Sequence, residues 1–202
     1  MKLYFSPGAC SLCTHIALHE SGLDFEPVLA STKTHRLADG TDYHSINPLG
    51  YVPLLELADG TRMTEVAAIL QYIADLAPAS NLAPPAGQLA RYQLMAWLNF
   101  VATELHKGFS PLFSKDTPDN YKPIAKAQLM QRLAWVDAQL QDRPFLIGET
   151  FSVADLYLFN ISNWAHLVGL KLTDFPNLLA LRARVSERPA VRAAMRAEGL
   201  LK

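Results

Sequence analysis

Cys10 and Cys13 stand three residues apart, just after a short apolar stretch (Leu3-Tyr4-Phe5) and the breaker pair Pro7-Gly8. Residues 2–5 read as a strand and residues 11–21 as a helix, which puts Cys10 at the mouth of that helix. Unpaired amide N–H groups and the positive end of the macrodipole lie there. Both favour a thiolate, the reactive form of cysteine. The C-x-x-C spacing offers a second chemistry, a dithiol–disulfide couple. Haem attachment is excluded because Thr14, not His, follows Cys13. Two Cys plus His15 fall short of a four-ligand structural zinc site, so no metal is expected. Cys13, one turn beyond Cys10, reads more simply as a small buried apolar side chain.

Val52-Pro53 is the second anchor. Proline entering a strand removes a ladder donor and is confined to special places, a cis bond among them. With strand–Cys–helix at the start, it suggests a thioredoxin-like sheet in which the chain beside the proline lines the thiol site. Backbone groups there can pair with an extended peptide. Thr64-Glu65-Val66 opens the next helix, with Thr64 as its cap. The N–H groups at that helix start can hold a carboxylate, and Glu65 an amine; taken alone, a routine acidic first turn is the simpler reading. Further on, Asn99, Thr103, His106 and Ser110 recur at helical spacing on one face, with Lys107 one step round and Phe109 and Phe113 flanking. Buried polar residues need partners, and a ligand cleft would supply them. A cationic His106 would lower a nearby sulfur's pKa. Ser152-Val-Ala-Asp155 is a capping box, with Phe151 and Leu156 placed as its apolar staple.

These residues need a scaffold of two kinds. Residues 1–78 alternate strand and helix signals in the order β-α-β-(α)-β-β-α. A Pro- and Gly-rich linker covers 79–87, and residues 88–202 carry only helical periodicity, including one long helix from Gln88 to Phe113. The expected fold is therefore an α/β domain with a mixed four-stranded sheet, then an all-α domain. With 202 residues, 50% apolar and 18% charged, the composition is that of a globular enzyme. A net charge of −1 gives no electrostatic case for nucleic acid or an anionic membrane. No apolar run approaches a membrane span, and two cysteines without an export signal point to the cytoplasm.

Over essentially its full length the chain resembles a bacterial beta-class glutathione transferase. The resemblance is carried by Ser6-Pro-Gly-Ala-Cys10-Ser-Leu, Ile46-Asn-Pro-Leu-Gly-Tyr-Val-Pro53, Thr64-Glu65 with Gln71-Tyr-Ile-Ala-Asp75, Trp97-Leu-Asn-Phe100, Glu104-Leu-His-Lys-Gly108 and Ser152-Val-Ala-Asp-Leu-Tyr157. It implies a homodimer that uses glutathione as co-substrate, with no other cofactor. Cys10 and His106 would flank the glutathione sulfur. Tyr51, Val52 and Pro53 would meet the cysteinyl unit, and Glu65 and the Val66 amide the γ-glutamyl end. His35 would face the glycyl carboxylate. Asn99, Thr103 and Glu104 would reach the ligand from the partner's helix, with Lys107 beside them. A small hydrophobic electrophile would lie against Phe5, Phe109, Ser110, Phe113, Trp164 and His166.

The sequence departs from the class pattern at several of these positions. Phe5 replaces a common Tyr, which removes a hydroxyl that steadies thiolates and leaves Cys10, His106 and Ser11 for that task. Tyr4, one residue earlier, should face the other way. His35 replaces a Lys, a weaker clamp when neutral. Val66 replaces a small residue. Cys13-Thr14 replaces a Ser-Pro pair, which favours the redox couple. The function expected is conjugation of the glutathione thiolate to apolar electrophiles. Lowering the sulfur's pKa by two units is worth about 2.7 kcal/mol. The rival expectations are a glutathione-dependent thiol–disulfide reductase with Cys10 as nucleophile, and a non-catalytic ligand- or partner-binding protein of the same fold.

Overall fold

Alternation along Leu3-Tyr4-Phe5 sets the first unit, because successive strand residues face opposite sides of the sheet. In the computed structural model, which describes residues 1–201, β1 (Lys2–Phe5) lies inside a four-stranded sheet. Its neighbours are β2 (Glu26–Leu29) and β3 (Leu54–Glu56), and β4 (Arg62–Met63) completes the order β2-β1-β3-β4. β1 runs parallel to β2, with Leu3 opposite Pro27, and antiparallel to β3, with Tyr4 opposite Leu54. Pro27 sits on an edge strand, where a missing donor is tolerated. The sheet is the expected mixed one, and the Val52–Pro53 bond before β3 is cis.

Tyr4 packs with Ala30, Tyr43, Val52 and Leu54 on one face. Phe5 turns the other way, its ring 5.3 Å from that of His15 in α1 (Ser11–Ser21). Residues 11–18 of α1 are all buried, because the helix packs against both α2 (Val66–Leu76) and α8 (Pro189–Ala197). α2 begins one residue later than expected, with Glu65 rather than Thr64 at its cap position. Glu65 takes a left-handed φ of 68°, which breaks the helical path, so Thr64 does not cap it.

Two compact units emerge: residues 1–83 with 187–202, and residues 84–186. The last helix thus packs with the first unit. Arg188 makes a two-pronged ion pair with Glu20, at 2.6 and 2.8 Å. Deeper in, Glu198 takes the Gly8 amide on one oxygen and His15 Nδ1 on the other, both at 2.9 Å.

The second unit holds α3 (Leu89–Phe100), α4 (Lys107–Phe113), α5 (Lys122–Gln139), α6 (Val153–Asn163) and α7 (Pro176–Ser186). The long helix expected from 88 to 113 is interrupted by a wider π turn, Val101–His106. Each residue of a π turn advances less than in an α-helix, so six of them shift the faces by roughly a quarter turn. Asn99 and Ser110 therefore do not share one continuous stripe. The capping box forms: the Ser152 amide and hydroxyl both donate to Asp155 Oδ2 at 2.8 Å. Asp155 Oδ1 accepts from the Leu146 amide at 2.8 Å, tying the preceding loop to the helix start. Among the described residues no helix is long and apolar enough to cross a membrane.

Candidate functional site

The first unit builds a thiol site from two loops. Cys10 is the N-cap of α1, and the first turn of that helix carries no acidic side chain. Ser6 N–H donates to Ser11 Oγ and the Ala9 amide to the Ser6 carbonyl, folding the Ser6–Cys10 loop back on itself. Cys10 Sγ donates to the Val52 carbonyl at 3.1 Å. Ser11 is fully buried, and both of its hydroxyl bonds go to Ser6, so it serves the loop. Cys13 Sγ donates to the Cys10 carbonyl at 3.0 Å, and Cys13 is 0% exposed. Both cysteines are thiols, with no disulfide between them.

Val52 is held from behind. The Tyr51 carbonyl accepts from Tyr43 Oη at 2.9 Å and from Asn47 Nδ2 at 2.7 Å. Burial pushes the Tyr43 hydroxyl up to about 12, so it stays a donor at any physiological pH. The Tyr51 side chain is 63% exposed, while Val52 and Pro53 are buried. The unit also carries Glu65, exposed on its strained backbone, and Val66, buried at the head of α2. His35 stands in left-handed backbone (φ 50°), with its ring 4.4 Å from that of His44. Phe5 is only 7% exposed and packs on His15, so it is core, and the expectation that it lines an electrophile pocket is corrected.

The second unit gathers an aromatic cluster. His106 Nδ1 is 2.7 Å from Tyr157 Oη, and the Trp164 ring stands edge-on to His106 at 5.0 Å. Trp164 is also edge-on to Phe109 at 5.9 Å and to Phe113 at 5.5 Å. The residues expected around the electrophile are thus partly brought together. Phe113 is 45% exposed and Ser110 exposed, but Phe109 is wholly buried and belongs to the core behind them. His166 is exposed, with Nδ1 against the Asn163 carbonyl.

Burial, then the charge of Lys107, lowers His106 to about 4. Its ring is therefore neutral at pH 7, so the further lowering of a sulfur's pKa that a cationic imidazole would give is not in play. A neutral ring acts by accepting or donating one hydrogen bond, not by its charge.

Asn99, Thr103, Glu104 and Lys107 lie along the far part of the same helix run. Thr103 Oγ1 donates to the Asn99 carbonyl at 3.0 Å, and Glu104 pairs with Arg132 at 2.7 Å. Thr103, Glu104, Lys107 and Arg132 line a cleft of ≈ 220 Å³ with Tyr121 and Gln128. Spacing alone does not reveal Tyr157, Arg132 or Glu198, each far along the chain from the residue it holds. Among the described residues, no group of three or more His, Cys, Asp or Glu side chains is placed to hold a metal ion.

Comparison with known proteins agrees with this construction. The model for the glutathione S-transferase N-terminal domain matches residues 8–76, and that for the C-terminal domain residues 100–189. Glutathione S-transferase GstA of Escherichia coli O157:H7 is 48% identical over 200 residues, covering 99% of this chain and 100% of that protein. A sphingomonad glutathione S-transferase solved with glutathione superposes with a TM-score of 0.95 at 46% identity, covering 99% of this chain and 100% of that one. A bacterial beta-class enzyme from Sphingomonas chungbukensis gives 0.96 at 44%, with full coverage of both chains. The chain belongs to the glutathione S-transferase family, and within it to the bacterial beta class.

Proposed function

We propose that this protein conjugates the thiolate of glutathione to small apolar electrophiles, with Cys10 at the thiol site. One observation carries the reading. Cys10 sits at the N-cap of α1 with its sulfur 3.1 Å from the Val52 carbonyl, immediately before cis-Pro53. An extended tripeptide laid along Val52 would pair with the backbone there like a short strand and present its own sulfur to the amides of α1.

The remaining roles follow on the same reading. Tyr51, Val52 and Pro53 meet the cysteinyl unit, Glu65 and the Val66 amide the γ-glutamyl end, and His35 the glycyl carboxylate. Asn99, Thr103, Glu104 and Lys107 serve the ligand across a homodimer, and His106 faces the sulfur. Ser110, Phe113, Trp164 and His166 face the electrophile. Residues 1–78 form the glutathione domain, 79–87 the linker and 88–202 the helical domain, in a cytoplasmic enzyme needing no further cofactor.

The test is the Cys10→Ala variant assayed with a chloronitroarene and with a mixed disulfide of glutathione. In conjugation the glutathione sulfur forms the new S–C bond and chloride leaves, so that rate should largely survive. Disulfide reduction should vanish, because it needs the Cys10 sulfur. Loss of conjugation with retained reduction would overturn the assignment. Calorimetry showing no glutathione binding at millimolar ligand would favour a non-catalytic binding protein.

A further inference from the structure

Tyr157 is wholly buried, and a buried phenol needs a partner for its hydroxyl. The capping box at Ser152 and Asp155 fixes where α6 starts, and so where Tyr157 stands on it. Its Oη lies 2.7 Å from His106 Nδ1. The helix run that carries His106 is re-aimed just there: the π turn Val101–His106 ends on this histidine, and such turns recur at functional sites. Trp164 closes another side of the imidazole, edge-on at 5.0 Å. The ring is held by a hydrogen bond at one nitrogen and by an aromatic neighbour.

The direction of that bond decides what the ring can do. Burial and the Lys107 charge keep the imidazole neutral, so one nitrogen carries a proton and the other a lone pair. Of the two partners, the phenol is the stronger acid and the imidazole nitrogen the stronger base. The length agrees: N–H···O bonds centre at about 2.9–3.0 Å, and hydroxyl donors run shorter. Tyr157 O–H thus donates to Nδ1, which leaves the imidazole proton on Nε2. Among the described residues nothing hydrogen-bonds Nε2, and His106 is only partly buried, so that N–H is available to a ligand. The opposite proton placement would present a lone pair there and repel an anion.

We propose, on the reading that His106 faces the glutathione sulfur, that Tyr157 is a positioning residue for conjugation: its hydroxyl holds the His106 proton on Nε2, so that the ring offers an N–H to the thiolate. His106 then acts as a hydrogen-bond donor and not as a base. The thiolate keeps its electron pair for the new S–C bond, and no proton moves to the imidazole in that step. A donor aimed at an anion is the stronger kind of hydrogen bond.

The first measurement needs no variant. Imidazole nitrogen NMR of the ligand-free, full-length protein at neutral pH should show His106 protonated at Nε2. Tyr157→Phe keeps the ring and loses the hydroxyl, and should shift His106 toward a mixture of the two tautomers. With a chloronitroarene and saturating glutathione, its kcat should fall about fivefold to tenfold, with KM for the electrophile unchanged. In His106→Gln the side-chain amide supplies an N–H of its own, and adding Tyr157→Phe there should change kcat by less than about twofold. An Nδ1–H tautomer in the parent, a parent-like kcat in Tyr157→Phe, or the equal loss in both backgrounds that a merely structural role gives would each overturn the role of Tyr157. His106→Ala conjugating at the parent rate would instead overturn the placement of His106 at the sulfur, and the tautomer spectrum separates that failure from the others.

Discussion

Replacing His106 with Gln should make the protein's stability respond differently to acid, and the size of the change follows from burial. Folding takes the imidazole from its ordinary 6.5 to about 4, with desolvation as the main cause and the Lys107 charge adding to it. Between those values the unfolded chain holds a proton that the folded chain refuses, so stability falls as pH drops through that window. At pH 5 the unfolded ring is almost wholly protonated and the folded ring mostly neutral, a cost of about 2 kcal/mol; at pH 7 it is about 0.2 kcal/mol. Asp155 works the other way. Burial lifts its carboxyl to about 6 from 3.8, so the folded state takes up a proton first and gains about 1.3 kcal/mol between pH 7 and pH 5. In the parent these two effects nearly cancel, and the difference between parent and variant isolates the histidine. Urea denaturation at pH 7 and pH 5 should show His106→Gln recovering about 2 kcal/mol relative to the parent on acidification. The same reasoning requires that no step in the conjugation rate above pH 5 reports His106 ionisation. A stability gap between parent and variant that stays constant from pH 7 to pH 5 would refute a neutral, desolvated His106.

Other outcomes follow from buried networks. Asp155→Ala strands the Leu146 amide and the Ser152 amide and hydroxyl, all at 2.8 Å. It should cost about 3 kcal/mol or more in urea denaturation, against about 1 kcal/mol for Ser152→Ala. Glu198→Ala removes the acceptor shared by Gly8 and His15. With both side chains of that pair at most 1% exposed, it should cost about 3 kcal/mol or more, and the Gly8 amide should lose protection from hydrogen exchange.

What the sequence disclosed was local. The bounds of β1 and α1 are legible because Pro7-Gly8 separates a period of two from a helical run. The capping box is legible because Ser152 and Asp155 lie three apart. The π turn is not: the buried positions Leu94, Leu98, Val101, Leu105 and Phe109 keep three- and four-residue spacing straight through it. The left-handed Glu65 is equally silent, since a side chain of that type gives no warning of a positive φ. Burial decides the rest. Phe5 and Phe109 have the residue type of a pocket wall but are enclosed by His15 and by the Trp164 cluster. The neutrality of His106 depends first on its burial, which no spacing discloses, and then on the charge of Lys107.

The sulfur of Cys10 is better understood through the Val52 carbonyl than through the helix alone. As a thiol it donates 3.1 Å to that oxygen, 42 residues away. A thiolate cannot donate, so ionisation forfeits this bond and sets an anion against a carbonyl dipole. The amides at the start of α1 pull the opposite way, and no acidic side chain in the first turn opposes them. The proton on Cys10 is therefore contested between a carbonyl that favours the thiol and a helix terminus that favours the thiolate. A peptide pairing along Val52 would engage that carbonyl with its own amide N–H. It would then weaken the claim on the thiol proton and shift the contest toward the anion, so occupancy of the backbone at Val52 and activation of the sulfur become one event.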